Sequence, residues 1–485
     1  MRVALFPQAS RSANGRPSLT TPLLRSALLL GLSVSLTACL AAESKPPATT
    51  DTTGADAGGT DAAVGDTTGS DAVVSDVVGS DVAGGDIVAT DVGAGDTGTT
   101  GSTVFVPACA KDADCKTVQA CIHGVCVPKP EQGDKTALND PTNDNQPTTE
   151  KINLSCVGKD LNDIIKDLPK TGKATMWGRV DRFGGGAVTT DVDVAVFLAA
   201  DFHPEKCAGI EEPADQQTCL RSDKVGKPLV TVLSIDPDTA EAKGWNMPRP
   251  KKADEECDKG HHFQCPHGYV CDKIDGFPKC GKGHGVYALE GVPLNTRLVL
   301  RTRASKPNDP AGWHDTYTYD VVLFSTHLDA KTGGIQPTKY AGADTVLYNP
   351  TIVGEGQWQL VPSTIGIVGG IYEGDGVIGG RIRDCGTTDR RSWPISDARV
   401  GIGVPPEGIS YFNDSELDPV PNKNRVTTNV VGRYAAVGIP PGPNRVAVLG
   451  QIDGKQVELG VQDVYVIPNA LVIASMPGFI PHWNK

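Results

Sequence analysis

From residue 151 onward the chain is written in short runs of alternating or β-branched residues, each stopped by Gly, Pro, Asn or Asp. DVDVAVFLA from Asp191, TYTYDVVLF from Thr316, DARVGIGV from Asp397 and GRYAAVGIPPGPNRVAVL from Gly432 are of this kind. Period-two patterning predicts strands, and strands punctuated this often predict antiparallel sheets packed face to face. Tyr319, Val322 and Phe324 fall at strand period and are expected to pack. Helical periodicity is weak except in LNDIIKDL, where one short helix is expected from Leu161.

The patterning repeats. GVYALEGVPLNTRLVL from Gly285 is echoed by the stretch from Gly432, so that Gly285, Tyr287, Ala288, Gly291 and Pro293 map onto Gly432, Tyr434, Ala435, Gly438 and Pro440. Upstream, WGRVDR at Trp177 matches GGRIRD at Gly379, and DVDVAVFLA matches DARVGIGV. Self-similarity on this scale implies two copies of one module.

The first hundred residues are patterned differently. Arg2, Arg11, Arg16 and Arg25 precede an apolar run, ALLLGLSVSL, from Ala27 to Leu36. That order is a secretory signal, and the run is far short of the roughly 20 residues needed to cross a hydrocarbon core. It ends in Leu36-Thr37-Ala38-Cys39, which resembles the lipobox of bacterial lipoproteins. The resemblance implies cleavage before Cys39 and a lipid-carrying cysteine, a membrane anchor of several acyl chains. Leu40 is not the aspartate that marks inner-membrane retention, which favours the outer membrane or cell surface. From Asp51 to Asp96 an aspartate then falls at every fifth position. That period fits neither helix nor strand, so a disordered tether is expected, averaging ~45 Å end to end and swollen by its own charge. Residues 40–106 carry −10, eleven acids against Lys45, of a total of −13. No basic patch is left for nucleic acid.

Setting Cys39 aside, twelve cysteines remain. An even number suits disulfides in an exported protein. Four lie close together as Cys109, Cys115, Cys121 and Cys126, and four as Cys257, Cys265, Cys271 and Cys280. Segments so short need two disulfides apiece in place of a core, with three pairings open to each. The first segment resembles the Dickkopf-type cysteine-rich modules of bacterial surface lipoproteins; the second matches that pattern loosely. His261, His262, His267 and His284 raise a zinc reading for the second, but no CxxC pair is present and disulfides are favoured. Proximity pairs Cys207 with Cys219, which leaves Cys156 for Cys385.

The second repeat copy resembles the carboxypeptidase regulatory-like, or transthyretin-like, β-sandwich. The features that carry the resemblance are Pro394, Ile395, Ala398, Gly432, Tyr434, Pro440, Pro441 and Gly442. It implies a sandwich fold and no catalytic machinery, since the zinc carboxypeptidase signature H-x-x-E is missing, as are HExxH, GxSxG and the P-loop. GDGVIG at residues 374–379 has dinucleotide-fingerprint spacing, but no helix is expected after it to receive phosphates. Gly374, Gly376, Gly379 and Gly380 are therefore expected in a turn and at a strand edge, with no nucleotide and no cofactor. Asp181, Asp191 and Asp193 are expected as solvated surface, and Trp177, Trp313, Trp358 and Trp393 as core in preference to a sugar platform.

The expected organisation is a signal at 1–38, a tether at 39–106, a cysteine-rich module at 107–128 and a linker at 129–150. A first sandwich at 151–365 with a cysteine-rich insertion at 201–283 follows, then a second sandwich at 366–485. The expected function is non-catalytic: a lipid-anchored protein of the bacterial surface or periplasm that presents its modules for protein interaction or adhesion. A carbohydrate-binding accessory role and a hydrolase stand as alternatives.

Overall fold

The computed structural model describes residues 105–476 except 132, 142–144, 184–188, 211, 246–255, 257–268, 275–276, 307–311, 333–335, 388–391 and 415–419. Cys39, the signal and the aspartate repeat therefore lie outside the described residues, as do Cys257, Cys265, His261, His262 and His267. The described chain is mainly β. No helix among the described residues is long and apolar enough to cross a membrane.

Seven strands carry the first repeat: β1 (Lys173–Arg179), β2 (Val192–Leu198), β3 (Val230–Leu233), β4 (Val286–Pro293), β5 (Leu298–Ala304), β6 (Thr316–Val321) and β7 (Thr345–Leu347). Seven more carry the second: β8 (Gly376–Arg381), β9 (Arg399–Ile402), β10 (Gly408–Tyr411), β11 (Arg433–Ile439), β12 (Gly442–Ile452), β13 (Lys455–Val466) and β14 (Leu471–Ile473). Apart from β3, which pairs with β2, and β10, which pairs with β11, the pairings of the two sets match. β1 lies between antiparallel β4 and parallel β7, and β8 between antiparallel β11 and parallel β14. β5 lies between β2 and β6, and β12 between β9 and β13, all antiparallel. The internal repeat of the sequence is thus a repeat of strand connectivity.

Matched residues do matched work. The Tyr287 hydroxyl donates to the Tyr348 carbonyl at 2.7 Å, and the Tyr434 hydroxyl to the Ala474 carbonyl at 2.6 Å. Both rings are fully buried, and each carbonyl follows the third strand of its sheet. Gly291 and Gly438, at φ +80° and +67°, sit where the registers of β4 and β11 slip, a left-handed conformation that glycine adopts without strain.

β6 also pairs in parallel with β14, and this fuses the two copies. The result is an eight-stranded sheet in the order β10-β11-β8-β14-β6-β5-β2-β3, flanked by the three-stranded sheets β4-β1-β7 and β9-β12-β13. Val192, Val194 and Val196 of β2 enter the first core with Met176, Tyr287, Leu298 and Leu300. The other face of β2 is buried too: Ala195 and Phe197 meet Phe202, Cys207, Cys219, Leu220 and Val225. The run VAVF is therefore buried on both faces, the pattern of a covered strand. In the second copy, Ile378, Val400, Tyr434, Val446, Val448 and Val472 form the equivalent core.

The N-terminal segments pack onto the second copy. Ala120, Val125 and Val127 of the cysteine-rich module, with Phe105 just before it, meet Ala447 and Leu449 of β12. Arg445 lies over the Phe105 ring at 5.1 Å and donates to the His123 carbonyl at 2.8 Å. The stretch 129–150, expected as a linker, carries strands at Ala137–Asp140 and Gln146–Pro147, and the first pairs with Ile395–Ser396. Leu138 is buried in the second core, and Arg399 is held by Asp134 at 2.8 Å, so burial overrides the polar look of this stretch. The short helix is Leu161–Ile165, capped by the Asp160 carboxylate on the Asn162 N–H at 2.7 Å, with Leu161 and Ile165 against Val322 and Phe324.

His327, in the turn after β6, is pushed down to about 4 by burial, from an ordinary value of 6.5. Between those values the unfolded chain binds more protons, so stability is expected to be lost as pH falls from 6.5 towards 4. His327→Gln should flatten this part of a urea-midpoint profile. An unchanged slope would count against His327 as its source.

Candidate functional site

Nine of the described cysteines are in disulfides. Cys109 joins Cys121 and Cys115 joins Cys126, a one-three, two-four pairing of the first module. Cys207 joins Cys219, and Cys156 reaches Cys385 across 229 residues. The sulfurs of Cys109, Cys115 and Cys126 lie within 4.8 Å of one another, but as disulfide sulfurs they are not thiolate ligands for a metal. Cys271 lies on the strand Tyr269–Ile274, and Cys280, buried and disulfide-bonded, is its register partner on Phe277–Lys282.

The glycine fingerprint lies in a turn and a strand. Gly374 is at φ +93°, and Gly376, Gly379 and Gly380 belong to β8, so no helix follows to receive a phosphate. Among the aspartates, Asp193 is buried, not solvated, and pairs with Arg303 at 3.0 Å. It belongs to an ion network with Arg301, whose guanidinium lies over Phe197 at 5.0 Å. Nearby, buried Asp315 pairs with Arg221 at 3.1 Å. Asp181 bonds Arg179 at 2.7 Å. Burial pushes its carboxyl up, but the charges of Arg179, His284 and Arg381 outweigh this and hold it below the usual range.

Trp177, Trp313 and Trp393 are buried. Trp358 is half-buried and lies at a groove. The helix Glu355–Thr364 follows the strand Thr351–Gly354 directly and turns Trp358 inward against Val353, Val361 and Val377. The outer face of the indole is stacked by His314, ring centroids 4.1 Å apart and planes 11° apart. The His314 ring bonds Glu355 at 2.8 Å, and Gln359 donates to the same carboxylate at 2.6 Å. Burial works to raise the Glu355 carboxyl, yet the bonds from His314 and Gln359 prevail and lower it.

Around this pair runs a groove of about 680 Å³, lined by His314, Trp358, Gln359, Val368, Ile371 and Asn469. Its rim is the loop after the helix, where Val368 is 94% and Tyr372 62% exposed. Gly366, Gly369 and Gly370 all have positive φ there. Beneath lies an apolar void of only about 20 Å³, bounded by Phe183, Val361, Val377 and Leu471, too small for any organic ligand. Ser363 donates its hydroxyl to the Leu360 carbonyl of its own helix at 2.9 Å and is not poised against the His314 ring.

The groove thus offers an aromatic edge, a His–Glu pair and exposed apolar side chains. Sequence reasoning singled out Trp358 and the glycines from Gly374 onward, but not His314, Glu355 or the loop at Gly366, Gly369 and Gly370. A usable signal was the exposed Val368 and Tyr372 set among glycines, where neither strand nor helix has use for them. No family model matches this chain, and no curated protein or solved structure matches it.

Proposed function

We propose that the protein is a non-catalytic lipoprotein of the bacterial envelope, anchored through Cys39, that presents its groove to a protein partner. In this reading each repeat copy is a transthyretin-like sandwich of the carboxypeptidase regulatory-like kind, and the aspartate repeat is the spacer that lifts them from the bilayer. The observation that carries export is the oxidation of nine described cysteines, including a pair 229 residues apart. Such bonds persist in an oxidising compartment and are rare in a reducing one. The groove supports protein contact over chemistry, because its histidine is committed to stacking and to Glu355, and among the described residues no nucleophile is placed beside it.

The carbohydrate alternative has less to stand on, since three tryptophans are core and the outer face of Trp358 is taken by His314. Replacing Cys39 with serine is expected to move the protein from the membrane fraction to the soluble fraction. Continued sedimentation with membranes in high salt would contradict an anchor at that position.

A further inference from the structure

The two ends of the eight-stranded sheet are finished differently. At the β10 end the chain covers itself: the Tyr411 carbonyl accepts from Asn422 N at 2.8 Å and Asn413 N donates to Val420 at 2.9 Å. At the other end β3 pairs, among the described residues, only with β2. Ser234 N donates to Val192 at 2.8 Å, in the same register that sets Val232 against Val194. Alternation along an antiparallel ladder then turns the backbone groups of Val230 and Val232 towards β2, and those of Thr231 and Leu233 away from it. Among the described residues those outward groups have no backbone partner, until Ile235 leaves the edge to bond Val286.

The side chains of this edge are apolar and exposed. Leu229 and Leu233 are 46% and 44% exposed on the face they share with Thr231, while Val230 and Val232 pack on the core. No charge or proline interrupts Leu229–Leu233, although edges are usually blunted by such residues. The five residues read Leu-Val-Thr-Val-Leu in either direction. A two-fold axis at Thr231 therefore sets Thr231 against its own copy and Val230 against the partner's Val232, and brings the Leu229 side chain beside the partner's Leu233, while the Leu229 N–H stays bonded to the Val196 carbonyl at 2.8 Å. The flanks complement each other as well, since Lys224 and Lys227 precede the strand and Asp236 and Asp238 follow it. Antiparallel pairing brings each basic flank to the partner's acidic one.

We propose that Leu229–Leu233 is a self-recognition edge, through which two copies pair antiparallel about Thr231 and run their eight-stranded sheets together. The occupant is a second copy of this chain because the strand complements itself in shape, residue type and flanking charge.

The test uses the full chain in detergent, with mass followed by sedimentation over a range of concentrations. The native protein should pass from monomer to dimer. Thr231→Lys and Thr231→Glu each place like charges face to face on the axis and should weaken self-association by roughly a hundredfold. An equal mixture of the two variants should dimerise again, which a misfolded variant could not do. A native chain that stays monomeric, even if it takes up an extended peptide from another protein, would overturn the proposal. So would a dimer indifferent to both substitutions.

Discussion

Cys156→Ser or Cys385→Ser is expected to lower unfolding free energy by about 4–5 kcal/mol, the upper end of what one disulfide contributes. The bond closes a loop of 229 residues that contains the whole first copy, so its absence frees much of the unfolded chain. The segment it holds is otherwise lightly tied. Cys385 N donates to the Asn153 carbonyl at 2.8 Å, Asn153 N to Asp384 at 3.1 Å, and Ile152 and Leu154 pack on the second core. Urea unfolding of either single variant and of the double variant should give the same loss, because one bond is removed in each. A loss under about 1 kcal/mol would mean these contacts hold the segment without the bond.

The second large effect is expected at Gly178 and Gly380, the matched glycines of β1 and β8. An added Cβ at Gly178 would fall on the Tyr348 carbonyl oxygen, and one at Gly380 on the Ala474 carbonyl oxygen, both well inside contact distance. These are the oxygens that receive the Tyr287 and Tyr434 hydroxyls. They lie beside the bonds from Tyr348 N to Trp177 and from Ala474 N to Gly379, each 2.8 Å. Gly178→Ala or Gly380→Ala must therefore separate a parallel strand pair and break a buried hydrogen bond together. A loss of roughly 3–4 kcal/mol is expected for each, against about 1–2 for Tyr287→Phe or Tyr434→Phe. Thermal unfolding of the four variants checks the order. Alanine variants as stable as the phenylalanine ones would mean the close approach is not needed.

These glycines show how far the sequence could be read. The strands and the repeat were legible because a sheet imposes period two, and because Gly-x-Tyr and the glycine after Trp177 or Gly379 serve a backbone contact that admits no other side chain. The helix at Leu161 was legible from the periodicity of LNDIIKDL, whereas its Asp160 cap was not singled out. The fusion of the copies was not, since Thr316–Thr318 meets Leu471–Ile473 and nothing local in either segment specifies a parallel partner so distant. The packing of Leu138 onto the second core was hidden for the same reason, as its polar neighbours read as a connector. At the groove, Trp358 was visible, whereas His314 and Glu355 become a pair only once the helix turns back over the strand Trp313–His314.

The proposed function requires a lipidated Cys39. The most direct measurement is mass spectrometry of the N-terminal peptide from protein recovered in the membrane fraction. It should begin at Cys39 and carry the added mass of diacylglycerol, with or without an amide-linked acyl chain. A peptide that retains residues before Cys39, or one that begins at Cys39 with an unmodified thiol, would contradict the anchor and the envelope location argued from it.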